Sequence, residues 1–183
     1  MGLVDVFNQK VICVDNSTNS CAYAIGEGNK LLEYGEIKFP GKDTYSRLVN
    51  IRDCLAELRE KCKNINTLYI EQTTFIQSKQ TVILLGVAEG ATISSIAHPR
   101  MSISRPQPIV WQRAIGNPPL SKIELSKLKA DNPGKNAAWI KAESRRMRKQ
   151  RTLNIVNKRF NLELDNDNLG DAVGLLAYII DNK

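Results

Sequence analysis

Apolar and polar positions follow one rhythm over the first forty residues and another after that. The runs Val11-Ile12-Cys13-Val14 and Cys21 to Ile25, with the mixed stretch Leu31 to Phe39, are separated by Asn16-Ser17-Thr18-Asn19-Ser20 and Gly26-Glu27-Gly28-Asn29. Short apolar runs bounded by Asn, Ser and Gly predict three strands in an antiparallel meander. Pro40-Gly41 ends it, and Leu48, Ile51, Leu55, Leu58 and Cys62 then recur at three- and four-residue intervals. That spacing predicts one amphipathic helix over about 44–63. A fourth strand follows at 67–70, and a crossover helix between strands places this one parallel beside the first. Asp15 and Glu71, each closing its strand, would then lie side by side at one end of the sheet.

Residues 78–97 are apolar nearly all round and rich in small side chains, as expected of a helix buried on more than one face. Gly86 and Gly90 weaken such a helix unless they admit a close neighbour, from the same chain or a second subunit. A fifth strand is expected at 101–104 and a short helix at 109–115, broken by Gly116-Asn117-Pro118-Pro119. Residues 121–135 read as a loop with at most one short helix. Residues 136–160 read as a long helix, basic in its middle, and 169–181 as a last helix with Ala172, Val173, Leu175, Leu176, Ile179 and Ile180 on its apolar face. The class is α/β with a mixed sheet, without internal repeats.

The length of 183 residues and 42% hydrophobic content fit a single domain over the whole chain. No stretch approaches the roughly 18 apolar residues that span a bilayer, and no basic segment feeds an apolar one at the N-terminus, so a cytoplasmic location without a membrane role is expected. Cys13, Cys21, Cys54 and Cys62 fit neither a zinc clip nor a disulfide framework and read as small apolar filler. The net charge of +7 is concentrated: residues 121–151 hold ten Lys or Arg and three acids, while the rest of the chain holds sixteen of each. Arg145, Arg146, Arg148, Lys149 and Arg151 crowd into one part of it. A patch of this density attracts a polyanion and releases its counterions on binding. The plain alternative is a solvated charged helix.

The acids add chemistry to that patch. Asp15 and Glu71 end buried strands, and Asp171 opens the last helix; rigid carboxylates exposed at a sheet end can hold divalent metal ions. A fourth ligand would come from Asp167 or Asn168, four and three positions before Asp171 and so on its helix face. Charge favours Asp167. Each acid also has a structural reading, as a turn cap, an ion-pair partner or an N-terminal helix acid. Their joint placement favours a shared site. Phe75, in the polar loop after Glu71, is a candidate for stacking on a base. His98 reads as a surface or capping histidine, with a general-base role as the alternative, and Trp111 and Trp139 as core or interface residues.

At these residues the chain resembles the RuvC family of Holliday junction resolvases, from about residue 10 to 181. The likeness is strongest in Tyr69-Ile70-Glu71-Gln72 through Phe75, in Leu84-Leu85-Gly86-Val87-Ala88-Glu89-Gly90, and in Asp171-Ala172-Val173-Gly174-Leu175. The resemblance implies an RNase H-like fold, here a mixed five-stranded sheet flanked by helices. It also implies a homodimer and magnesium-dependent symmetric nicking of four-way DNA junctions, with manganese as a substitute. Asp15, Glu71 and Asp171 match three of the family's metal-binding acids. Phe75 is similar to its junction-stacking aromatic, one place further from the glutamate. Lys149 matches a lysine near the scissile phosphate, and Arg113 lies close to another basic position.

The chain departs from that pattern in three places. Asn16-Ser17 stands where the family has Pro-Gly, Asn168 is the strict match to the other late acid, and the basic stretch at about 117–148 reads as an insertion. Such insertions resemble those of phage-encoded relatives, which act more loosely on branched DNA in a bacterial host. Two rivals remain: a general RNase H-like nuclease on hybrids or flaps, and a non-catalytic branched-DNA-binding protein. An actin-like phosphotransfer protein would need two lobes and a second Gly-rich phosphate loop, which this sequence lacks.

Overall fold

A computed structural model describes residues 9–73 and 78–182. The meander forms as β1 (Lys10–Asn16), β2 (Ser20–Glu27) and β3 (Lys30–Lys38). Both turns are built from the residues that flagged them. The Ser17 side chain accepts from the backbone N–H groups of Asn19 (3.1 Å) and Ser20 (3.0 Å). Gly28 sits at φ 60°, a left-handed conformation that glycine adopts without steric penalty. β4 (Thr67–Ile70) and β5 (Ser102–Ser104) complete a sheet of order β3-β2-β1-β4-β5. β1 pairs antiparallel with β2 and parallel with β4, as the crossover argument requires.

Each strand's alternation divides its residues between two cores. Ile12, Val14, Cys21, Tyr23, Ile25, Leu68 and Ile70 face one way, against α1 (Thr44–Cys54), α2 (Ala56–Lys61) and α3 (Lys79–Ile96). Val11, Cys13, Ala22 and Ala24 face the other, against α4 (Pro108–Ala114), α6 (Ala137–Phe160) and α7 (Asp167–Asp181). The small residues of β2 bring α7 close: a Cβ on Gly26 would stand 2.6 Å from a Leu176 methyl. Both cores are continuous apolar layers, the arrangement that lets one sheet carry helices on two faces. Cys13, Cys21 and Cys62 are buried and none of the four cysteines is in a disulfide, consistent with filler.

Several elements differ from the sequence reading. The helix expected over 44–63 is two helices joined at buried Leu55, which leaves helical dihedrals (φ −91°, ψ 6°) yet keeps its N–H bond to Ile51 O at 3.0 Å. A 3-10 turn, Cys62–Asn64, follows α2. The short helix allowed within 121–135 is α5 (Lys122–Ala130), started by a reciprocal Ser121/Glu124 capping box. α7 begins at Asp167 rather than 169, because the Asn166 side chain accepts from the N–H groups of Asn168 and Leu169.

The largest departure is α3, which is not buried on several faces. Only Ala88, Glu89, Thr92, Ser95 and Ile96 are buried, while Ile83 (64% exposed) and Val87 (50%) face outward. A Cβ at Gly86 or Gly90 would meet nothing within 4 Å, so no described part of the chain supplies the close neighbour their presence predicts. His98 has the capping role expected of it: Nε2 donates to Ile65 O (3.0 Å) and Nδ1 accepts from Arg100 N–H (3.3 Å). Among the described residues no helix is long and apolar enough to cross a membrane.

Candidate active site

Asp15 lies on the same face of β1 as Val11 and Cys13, the face that α7 covers. Glu71 follows β4 directly, and its N–H donates to Val14 O at 3.0 Å, so the parallel β1–β4 pairing continues into the acid. α7 carries Asp171 across the same end of the sheet. All three side chains belong to half-buried residues. Glu71 and Asp171 act on the ionisation of Asp15, and Asp171 on that of Glu71, as expected of like charges brought together away from bulk water.

Burial is the main influence on each. It pushes the Asp15 carboxyl well above its ordinary range, helped by Glu71 and Asp171 and opposed by Lys149 and Arg145. Glu71 is pushed up to about 7 by burial and by Asp171, against the pull of the Trp111 N–H, Lys149 and Arg145. Asp171 rises to about 6 through burial, with Lys149 opposing, Asp167 adding, and Arg145 and Arg148 opposing. The site is thus an acid cluster under a basic helix.

The late candidates separate clearly. Asp167 forms an ion pair with Lys149 of α6 (3.2 Å). The Asn168 amide donates to Glu36 Oε1 (2.8 Å), and Glu36 also accepts from Ser20 (2.9 Å) and Asn166 (3.0 Å). Glu36 and Asp15 share a row across the sheet through Ala22, so Glu36 draws the Asn168 amide towards the β3 side. Among the described residues no three or more His, Cys, Asp or Glu side chains are grouped closely enough to hold a metal ion.

The five basic residues singled out from the sequence all lie on α6 but occupy different environments. Arg145 is exposed and its charge acts on all three acids. Arg146 is exposed and bonded to Glu143 through two contacts, 2.9 and 2.6 Å. Arg148 is half-buried and donates to Gln112, while its backbone carbonyl accepts from the buried Asn117 amide (2.8 Å). Arg151 pairs with Glu124 of α5. Arg113 is exposed in the last turn of α4. Phe75 lies outside the described residues. Trp139 is half-buried, with Lys135 Nζ 5.4 Å from its ring centroid.

Sequence reasoning overlooked two contacts at the acids. The indole N–H of Trp111 donates to Glu71 Oε2 at 2.7 Å. Next to Asp15, Asn16 Oδ1 accepts from Thr92 Oγ1 of α3 at 2.7 Å, tying the end of β1 to that helix. Both span dozens of residues, and no local pattern announces them.

The raised carboxyls carry a stability consequence. Between the unfolded values of 4.5 for Glu71 and 3.8 for Asp171 and their folded values of about 7 and 6, the folded chain binds more protons than the unfolded one. In that window stability falls as pH rises, and the penalty is fully present above about pH 7. Without added metal, Glu71→Gln should therefore raise the thermal midpoint more at about pH 8 than at about pH 5, where wild-type Glu71 is already protonated. Equal shifts at the two pH values would contradict the burial of this acid.

No family model matches the chain. A crossover junction endodeoxyribonuclease RuvC from Akkermansia muciniphila is 27% identical over 104 residues, covering 54% of this chain and 62% of that protein. The chain thus spans about three fifths of that relative's length. Among solved structures, Thermus thermophilus RuvC in complex with a Holliday junction substrate superposes with a TM-score of 0.62 at 12% identity, over 93% of this chain and 91% of the other. Another structure of Thermus thermophilus RuvC gives 0.61 at 14% identity, over 93% and 92%. With the mixed five-stranded sheet and its flanking helices, the superpositions establish the RNase H-like fold. In fold over nearly its whole length, and in sequence over more than half of it, this chain is similar to RuvC.

Proposed function

We propose that the chain is a metal-dependent, structure-selective DNA endonuclease that nicks four-way junctions as a homodimer. The observation that carries this reading is the convergence of Asp15, Glu71 and Asp171, from β1, the exit of β4 and α7, beneath a basic helix. Half-buried hard oxygen donors that repel one another suit magnesium or manganese, which relieve the repulsion. Asp15, Glu71 and Asp171 would hold the metal, with Asp167 as the fourth acid because the Asn168 amide is engaged by Glu36. When bound, a pair of divalent ions supplies an activated water and stabilises the leaving oxygen of a phosphodiester.

The chain's own residues would bind and orient the DNA. Lys149, held by Asp167, faces the acids and is placed to pair with the scissile phosphate. Arg145 and Arg146 are exposed on the same helix for flanking phosphates; Arg148 and Arg151 reinforce the positive potential from tethered positions. Arg113 adds a further charge at the end of α4. Phe75 keeps the stacking role proposed from its place after Glu71. We read residues 117–148 as a basic insertion in a single nuclease domain that enlarges the DNA contact, and the cytoplasm, of a bacterial host for a phage-encoded chain, as the place of action.

Support for the dimer comes from α3. Ile83, Gly86, Val87 and Gly90 fall at i, i+3, i+4 and i+7, one exposed helix face with open space over both glycines. A second copy of the face would fill that space and present two acid clusters to the two strands of a symmetric junction. The test is cleavage of a four-way junction, a fork, a flap, an RNA–DNA hybrid and linear duplex, with magnesium or manganese. Paired nicks at symmetric positions of the junction, with the other substrates cut far more slowly, are expected. Similar rates on all branched forms would make it a general nuclease, and tight binding without cutting a junction-binding protein.

A further inference from the structure

Trp111 is buried completely, in the core beneath α7. A buried indole N–H needs an acceptor, and here it takes a carboxylate oxygen forty positions earlier, Glu71 Oε2 at 2.7 Å. The ring has little freedom to leave. A Cβ on Gly174 of α7 would come 2.8 Å from Trp111 Cζ3 and 3.1 Å from the Thr152 methyl of α6, so the notch holding the ring exists because position 174 is glycine. Glu71 is fixed from its other end by its backbone N–H on Val14 O.

The type of donor matters as much as the distance. An arginine or lysine in this place would hold the carboxylate equally well but cancel the charge that attracts a cation. An indole N–H is neutral, has no acceptor atom and no second tautomer, so it orients the acid in one sense and leaves its charge intact. We infer that Trp111 is a positioning residue for Glu71: its N–H engages Oε2 and presents the other oxygen, Oε1, to a divalent cation. This rests on the reading of Glu71 as a metal ligand. It gives α4, which packs in the second core beneath α7, a direct hold on the site.

Binding of Mn2+ to the full chain without DNA, followed through the EPR signal of the free ion, tests the inference. Two variants are used: Trp111→Phe, and replacement of Trp111 by benzothienylalanine, which keeps the bicyclic shape and has sulfur in place of N–H. Loss of an outer-shell partner of this kind weakens metal affinity by about tenfold or more. That loss is expected in both variants, and the isosteric one should keep the wild-type thermal midpoint. A second readout is the Nε1–H resonance of Trp111, assigned by its disappearance in Trp111→Phe. It should shift when Mg2+ is added to the wild type and stay put in Glu71→Gln. Wild-type Mn2+ affinity in the benzothienylalanine protein would overturn the role of Trp111 alone. Wild-type affinity in Glu71→Gln would overturn Glu71 as a ligand, and the inference with it.

Discussion

Asp15→Asn and Glu71→Gln are each expected to slow the nicking of a four-way junction by about three orders of magnitude, since losing a metal-holding carboxylate removes several kcal/mol of transition-state stabilisation. Binding should survive. Either substitution takes one negative charge from a site lying against a polyanion, so junction affinity measured without divalent metal should be unchanged or tighter. Single-turnover cleavage read beside a gel-shift titration separates the two effects. Asp15 and Glu71 end the paired strands β1 and β4, and the register Val14 with Ile70 fixes their separation in the backbone. Neither substitution should therefore disturb folding. Cutting at wild-type rates by both variants would move the catalytic centre elsewhere in the chain.

Arg105→Met should destabilise the fold by about 3 kcal/mol, because it strands a buried carboxylate. Glu89 of α3 is only 6% exposed. It accepts from Arg105 Nη2 at 3.0 Å, pairs with Arg105 Nε at 2.5 Å, and accepts from Thr73 Oγ1 at 3.0 Å. Removing the guanidinium leaves the acid with one hydroxyl partner. The double variant Glu89→Gln/Arg105→Met should recover most of the loss, since an amide costs far less to bury than an unpaired charge. Urea denaturation of the two single variants and the double measures the coupling. A change below about 0.5 kcal/mol for Arg105→Met would place this pair among ordinary surface ion pairs. Since Thr73 lies two residues after Glu71, and the Gln72 N–H donates to Pro106 O (3.0 Å), the same brace holds the chain as it leaves the acid.

Much of the sheet was legible because its signals are local. Turn residues bound each strand of the meander, and handed crossover geometry placed β4 beside β1, so the adjacency of Asp15 and Glu71 followed without coordinates. α5 carried its start signal in Ser121 and Glu124. The exposed face of α3 was not legible: an all-round apolar sequence states that cover is needed, not whether the same chain provides it. The Trp111–Glu71 bond depends on the orientation of a seven-residue helix fixed by packing against Gly174, a contact sixty-three positions away. The engagement of the Asn168 amide escaped the sequence for a related reason: its partner, Glu36, is on a strand 132 positions earlier.

α7 roofs the second core, and Asp171 rides on it more than a hundred and fifty residues after Asp15. During synthesis the meander and β4 emerge first, with Val11, Cys13, Ala22 and Ala24 wet on one face until the segment ending at Asp181 leaves the ribosome. The three acids therefore meet only when that segment docks. A nascent chain, or one trimmed before α7, holds two of the acids at the rim of a half-covered sheet without the third. The complete cluster is thus absent from partly made copies, a consequence of the order in which the backbone is laid down.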